Sequence, residues 1–199
     1  DVRMKIGYYV QGTTDEAFVW GLVKRWCPNA DLAEGKFRGT SKESFRREIR
    51  KALMDLKEDK ACDILVVLTD ADINPWRDVK RQEEKKIPDS CKYLTVFGVA
   101  DRNIECWLAI DRRALANELG CDVNDIPDDN PSGFVKRCLG LGERDSDKES
   151  AKHRVRDFVA NAPLKSWIEN SDSFEDFYKQ VRILSQQNNC SIPNELDNP

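Results

Sequence analysis

The stretch YYVQGTTDEAF (residues 8–18) joins the end of an apolar, aromatic segment to the start of an amphipathic one, with a glycine between them. We interpret it as the end of a buried β-strand that turns at Gly12 into a helix. Asp15 and Glu16 then fall in the first helical turn, where the helix dipole favours negative charge. A strand that passes directly into a helix predicts a β-α-β crossover, and hence a parallel sheet.

Two further segments support this prediction. The runs MKIGYYV (4–10), DILVVLT (63–69) and YLTVFGV (93–99) are short, continuous and rich in β-branched or aromatic residues. Such runs are typical of strands buried on both faces. Helical patterns separate them, and ADLAEGKFR (30–38) could add an edge strand. The sequence therefore predicts an α/β fold with a parallel sheet flanked by helices.

The length of 199 residues is enough for one substantial core. We expect an α/β domain over residues 1–120 and a helical extension over residues 121–199 that packs on it. The segment 103–120 is predicted to be one helix that ends at Gly120 as a C-cap.

Composition limits the classes of site and partner. A net charge of −4 does not indicate a general polyanion-binding protein. Seven widely spaced cysteines without a C-x-x-C pair argue against a disulfide framework or a thiolate zinc site. A single histidine leaves oxygen atoms as the expected metal ligands. Without a signal pattern or an apolar run of about 18 residues, we predict a soluble, cytoplasmic protein with no membrane partner.

Acidic and amide side chains follow each predicted buried strand. Asp70 and Asp72 come directly after the second strand, spaced so that both could point the same way from an extended backbone. Gln11 and Asp15 follow the first strand, and Glu105 opens the helix after the third. Ligands bind at the carboxyl ends of parallel strands, so these residues predict a site for a hard cation. The alternative is that Asp70 and Asp72 only cap a turn before Pro75.

The segments VQGTTDEAF (10–18), TDADINP (69–75) and RNIECWLAID (102–111) together resemble the three parts of a Toprim domain. The similarity covers residues 4–115 and is greatest to the stand-alone and OLD-type (overcoming lysogenization defect) nucleases of bacterial defence systems. The first motif of that family has Glu where this chain has Gln11. Either the glutamine is engineered to trap a complex, or the chain is a natural copy that has lost the acid.

The resemblance implies a role for each residue. Asp70 and Asp72 would bind one Mg²⁺ or Mn²⁺ ion, and Asp15 and Glu105 a second. Position 11 would supply a further ligand or the general base. Gln11 can still offer a carbonyl oxygen, but it has no charge and cannot accept the proton. Loss of a general base typically costs about 10²–10⁴-fold in rate, so the chain is expected to be nearly inactive.

A second segment, SDKESAKHRVRDFVA (146–160), resembles the lysine-bearing part of these nucleases. There a cation would stabilise the charge that develops in the transition state. Of Lys148 and Lys152, we prefer Lys152 because the residues around it match better. A surface role for either lysine is the alternative.

The segment after Gly39 carries the only dense group of basic residues. Phosphate contacts are one use for them, and an exposed helix face with Glu43 and Glu48 as partners is the other. Arg102, beside Glu105, could meet a phosphate at a helix N-terminus. The candidate nucleic-acid-binding residues are Lys42, Arg46, Arg47, Arg50 and Arg102.

The resemblance therefore implies a nuclease that cleaves phosphodiester bonds in DNA or RNA during phage defence. An ABC-type ATPase is a candidate partner, and a homodimer is a candidate assembly. The alternative is a non-catalytic module of the same fold that binds nucleic acid or a partner ATPase. A primase or topoisomerase fragment is disfavoured, because neither a zinc ribbon nor a domain with a catalytic tyrosine accompanies the motifs.

Overall fold

A four-stranded parallel sheet lies at the centre of the described residues. The computed structural model describes residues 3–141 and 145–190. The sheet has the order β2-β1-β3-β4, with every neighbouring pair parallel. Its strands are β1 (Lys5–Tyr9), β2 (Asp31–Glu34), β3 (Ile64–Asp70) and β4 (Thr95–Ala100). The predicted α/β fold with a parallel sheet is confirmed, and the expected edge strand forms as β2.

Helices cover both faces of this sheet. They are α1 (Thr13–Trp26), α2 (Lys42–Met54), α3 (Trp76–Glu84), α4 (Ile104–Leu108), α5 (Arg112–Leu119), α6 (Ser132–Cys138), α7 (Asp145–Asn161), α8 (Leu164–Asn170) and α9 (Asp172–Gln187). Side chains alternate between the faces along each strand, which divides the buried residues into two clusters. Tyr8 packs with α1, α7 and α9, whereas Tyr9 packs with α2 and α3.

The sheet order places a crevice between β1 and β3. The chain moves from β1 to β2 on one side and then crosses β1 to reach β3 on the other. The helix that follows β1 lies on one face and the helix that follows β3 lies on the opposite face. Such a reversal opens a crevice at the carboxyl ends of the two strands, where ligands bind in open α/β sheets.

The helices after residue 120 complete the core on the α1 face. Helix α7 lies against α1 so closely that a Cβ added to Gly21 would stand 2.6 Å from the carbonyl oxygen of Arg156. Helix α9 packs on β4, where Phe177 contacts the backbone at Gly98. Trp167 is fully buried in the same cluster as the strand residues. Residues 121–141 and 145–190 therefore share one core with the sheet.

The prediction of one continuous helix over residues 103–120 is wrong. The segment forms α4 and α5 with a break between them, because Asp111 caps a new helix by accepting a hydrogen bond from the backbone N–H of Ala114 at 2.9 Å. The predicted end of the helix at Gly120 is confirmed. Gly120 terminates α5 with φ of 69°, a left-handed conformation that glycine adopts without steric cost.

The prediction against disulfides is also corrected. Cys27 and Cys190 form a disulfide that links the end of α1 to the end of α9, with Cα atoms 5.2 Å apart and 163 residues between them in sequence. Sequence spacing does not reveal this pair, because the packing of two helices on the sheet brings the cysteines together. The other five cysteines are free thiols.

Candidate metal and phosphate site

A cavity of about 480 Å³ opens at the carboxyl edge of the sheet, beside the crevice between β1 and β3. We call it the acidic cavity because three carboxylates from three different strand-helix junctions line it: Asp15, Asp70 and Glu105. The remaining lining residues are Gln11, Gly12, Thr13, Thr14, Thr40, Lys42, Lys136, Leu141 and Lys148. The structure thus brings together four of the five residues that we expected to converge: Gln11 and the three acids.

Asp70 is the last residue of β3 and the most perturbed of these acids. Its Oδ1 atom is buried and meets no hydrogen-bond partner within the described residues. Loss of solvation and repulsion from Asp15 raise the pKa of Asp70 to about 8, against the opposing effect of Lys42. An unpartnered buried carboxylate oxygen costs free energy unless a cation or a donor satisfies it.

Asp15 lies in the first turn of α1 and is 8% exposed. Burial and repulsion from Glu105 raise its pKa to about 6, although backbone N–H groups of Gly12 and Gln11 lower it. The Gly12 N–H donates to Asp15 Oδ2 at 3.1 Å. This bond caps the helix and orients the carboxylate, so a capping role and a place in the acidic cavity coexist in one residue.

Glu105 in α4 is 3% exposed and has one ion-pair partner in the described structure. Lys136 of α6 places its Nζ 3.3 Å from Glu105 Oε1. Lys136 was missed by the sequence analysis. Its segment carries no motif, and only the packing of α6 on α4 brings it to the acidic cavity.

The expected alignment of Asp72 with Asp70 is wrong. Asp72 has φ of 57°, so the extended backbone ends before it and the alternation that would keep both side chains on one side is lost. Its N–H donates to the carbonyl oxygen of Arg102 at 2.8 Å, and its carboxylate forms an ion pair with Lys42. Asp72 therefore lies beside the acidic cavity, whose lining it does not join.

Arg102 lies in the loop between β4 and α4. Its φ of 67° is also left-handed, and its side chain is exposed. It does not line the acidic cavity. The bond from Asp72 to the carbonyl oxygen of Arg102 ties the loop after β3 to the loop after β4, and a phosphate contact by the Arg102 side chain stays a prediction.

The two candidate lysines of α7 have different surroundings. Lys152 places its Nζ 2.8 Å from Glu16 Oε2 and lies over the ring of Trp20. Glu16 also accepts a hydrogen bond from the hydroxyl of Tyr8 at 2.8 Å. Lys152 is thereby held away from the acidic cavity, whereas Lys148, the less favoured candidate, lines it.

The four candidate phosphate-binding residues of α2 line a second depression of about 860 Å³ between α2 and α3. They are Lys42, Arg46, Arg47 and Arg50. Lys42 also lines the acidic cavity. Arg46 reaches towards it too, because its Nη2 donates to the carbonyl oxygen of Asp70 at 2.9 Å.

The carboxylates of the acidic cavity meet some of the requirements of a hard cation such as Mg²⁺. Among residues 3–141 and 145–190, no group of three or more His, Cys, Asp or Glu side chains is arranged to hold a metal ion. Mg²⁺ needs fewer protein ligands, since it usually keeps several waters and binds through one or two carboxylates plus substrate phosphate. Asp70, with its unpartnered oxygen, and Asp15, whose charge raises the pKa of Asp70, fit that requirement.

Comparison of the chain with protein-family models, with curated proteins and with solved structures gives no match. Within the described ranges, no helix has both the length and the apolar composition that crossing a membrane requires.

Proposed function

We propose that the chain has the fold and site of a Mg²⁺- or Mn²⁺-dependent nuclease that hydrolyses phosphodiester bonds in DNA or RNA. One observation carries the proposal: three carboxylates that repel one another are gathered in a cavity of about 480 Å³ at the carboxyl edge of a parallel sheet. Buried like charges are destabilising, and strongly perturbed acids in a cleft are typical of functional sites.

Asp70 and Asp15 are the residues that would hold the metal, and the Glu105 carboxylate, paired with Lys136, lines the same cavity. A bound divalent cation would neutralise their repulsion and polarise a phosphoryl oxygen. The Toprim resemblance implies two ions. The arrangement supports one ion better, because Asp72 pairs with Lys42 outside the acidic cavity.

Three lysines line the same cavity and provide the positive charge that a phosphodiester needs. Lys136 and Lys148 come from the helices after residue 120, and Lys42 comes from α2. Cations placed where negative charge develops stabilise the transition state. This function falls to Lys148 and Lys136 in our proposal, because both line the acidic cavity, whereas Lys152 does not line it and pairs with Glu16.

Gln11 is the reason why we expect this chain to have little hydrolytic activity. Gln11 lines the acidic cavity, but its amide accepts no proton. Restoring the carboxylate with Gln11→Glu should switch on cation-dependent cleavage of DNA or RNA by about 10²–10⁴-fold.

The experiment compares the original chain with Gln11→Glu on labelled DNA and RNA, with Mg²⁺, with Mn²⁺ and with EDTA. Gln186→Glu is the matched control, since it makes the same chemical change at an exposed position of α9. Adding Asp70→Asn to the Gln11→Glu chain should abolish cleavage again. If Gln11→Glu binds metal and nucleic acid but cleaves neither substrate, even with an ABC-type ATPase encoded beside it, the hydrolytic proposal fails.

Gln11 itself favours the second candidate, a non-catalytic module that binds nucleic acid or a partner ATPase. Such a module would use the same cavity without turnover. For both candidates, the Toprim resemblance implies a cytoplasmic role in phage defence. It also implies a homodimer or an ATPase partner. A natural gene with Glu at position 11 would remove most support from the module.

A further inference from the structure

The depression between α2 and α3 is strongly basic and adjoins the acidic cavity. We call it the basic groove. Of its lining residues, only Glu43 and Glu83 are acidic, against six lysines and arginines from both helices and the turn after α3. The full lining is Lys42, Glu43, Arg46, Arg47, Arg50, Gln82, Glu83, Lys85 and Lys86.

The acidic residues of α2 do not neutralise its basic ones. Glu48 instead accepts a hydrogen bond from the backbone N–H of Arg38 at 3.1 Å, and Glu43 forms no ion pair with any described residue. The alternative use of this helix, an exposed face on which Glu43 and Glu48 pair with the basic residues, therefore lacks those ion pairs. Arg47 and Arg50 are exposed and have no ion pair in the described part of the chain.

Helix α3 and the turn after it add positive charge from the opposite wall. Glu83 is 2% exposed and is neutralised by Lys86, whose Nζ lies 2.5 Å from Glu83 Oε2. Lys85 is exposed and, within the described residues, unpaired. The net charge of the groove therefore comes from both walls, which is a property of the fold that neither segment shows by itself.

Two residues connect the basic groove to the acidic cavity. Lys42 lines both. Arg46 lines the groove and donates to the carbonyl oxygen of Asp70, while its Nε is buried with no hydrogen-bond partner among the described residues. A chain of phosphates lying in the groove would thus be continuous with a phosphate at the carboxylates.

We propose that the basic groove binds the sugar-phosphate backbone of a nucleic acid strand on one side of the bond presented to the acidic cavity. The substrate would then be a polymer rather than a mononucleotide. That second statement rests on the proposed function, whereas binding in the groove does not. Without a metal, the carboxylates repel phosphate, so the groove should supply most of the metal-free affinity. Phosphate contacts of this kind are salt-dependent and largely independent of sequence.

The test measures fluorescence anisotropy of labelled single-stranded DNA, duplex DNA and single-stranded RNA at low salt in EDTA. The variant is Arg47→Glu/Arg50→Glu. The matched control is Arg113→Glu/Arg182→Glu, which reverses two exposed arginines of α5 and α9 that have no ion pair in the described structure. Circular dichroism verifies that both variants are folded.

We expect the groove variant to bind at least about tenfold more weakly, and the salt slope of log K to fall by about 2, one for each lost phosphate contact. The control should stay within about twofold of the original chain. A mononucleotide should bind more weakly than any of the three polymers. Three results would overturn the inference. They are an equal loss of affinity in the groove and control variants, equal affinity for mononucleotide and polymer, and no binding to any polymer.

The two proposals fail separately. If Gln11→Glu cleaves nothing but metal-free binding depends on Arg47 and Arg50, hydrolysis is refuted and the groove stands as a nucleic-acid-binding surface. If Gln11→Glu cleaves but the groove and control variants bind equally well, the groove inference is refuted and hydrolysis stands.

Discussion

Asp70→Asn is expected to stabilise the metal-free protein at neutral and alkaline pH. The substitution keeps the shape of the side chain and removes the charge. Asp70 is the acid with the highest pKa in the acidic cavity, about 8, because it is deprived of water and lies near Asp15. Most substitutions of buried residues destabilise a protein, so a gain in stability would be a specific sign of this repulsion.

The magnitude follows from the shift in proton affinity. A carboxyl whose pKa rises from 3.8 to about 8 on folding opposes folding by at most roughly 6 kcal/mol once it is ionised, at about 1.4 kcal/mol for each tenfold change. Because the folded-state pKa is raised, the contribution of Asp70 to stability is least unfavourable below about pH 4 and becomes progressively more unfavourable up to about pH 8. The loss should level off above that pH. Asp15, whose pKa is raised to about 6, adds to it with the same sign.

The assay is urea unfolding in EDTA, followed by tryptophan fluorescence and circular dichroism at several pH values between about 4 and 9. Asp70→Asn should match the original chain near pH 4 and exceed it by several kcal/mol near pH 9, which is roughly 5–15 °C in melting temperature for a chain of this size. Asp129→Asn, an exposed loop position, is the control and should change neither curve.

Two results would contradict the electrostatic reasoning. One is a free energy of unfolding for the original chain that stays flat or rises between about pH 5 and pH 8. The other is an Asp70→Asn chain that is less stable than the original at every pH, which would mean that the carboxylate makes favourable contacts in the folded chain.

Three further predictions test other parts of the structure. Millimolar Mg²⁺ or Mn²⁺ should raise the melting temperature of the original chain by binding the native state, and Asp70→Asn should remove most of the gain; no shift in the original chain would contradict metal binding. Gly21→Ala should cost more than about 2 kcal/mol in urea unfolding, because the added Cβ would meet Val159 Cβ at 2.6 Å; unchanged stability would mean that α1 and α7 separate easily. Reduction of the disulfide, or Cys27→Ser, should lower stability by about 2–4 kcal/mol, because Cys190 lies 163 residues away and the bond restricts a long loop of the unfolded chain; thiol titration that finds seven free cysteines without reductant would rule the bond out.

Much of the candidate site was predictable because it depends on strand ends. Asp70 follows an apolar run, and Asp15 and Glu105 each open the helix that follows a strand. Parallel strands carry their carboxyl ends to one edge, so local patterns were enough to place these three acids together. The same logic placed Gln11 beside them.

The errors arise where side-chain direction depends on tertiary packing. Asp72 leaves the line of β3 because its N–H bonds to the carbonyl of Arg102, a contact between two loops that no local spacing reveals. Lys148 and Lys152 lie about one turn apart on α7. Which of them meets the cavity depends on how α7 packs against α1, and that packing depends on the absence of a side chain at Gly21.

The glutamine at position 11 bears on stability as well as on chemistry. Repulsion among the carboxylates of the acidic cavity already raises the pKa of Asp15 and of Asp70, so a further carboxylate at position 11 would add repulsion whenever no cation is bound. Gln11 has nearly the shape of a glutamate and lacks that charge, so the metal-free chain avoids the added repulsion. A chain with Glu at this position would depend more strongly on a bound cation for its stability. The same atom exchange therefore supplies a proton acceptor and strengthens the coupling between metal binding and folding, because both effects come from one negative charge placed among three others.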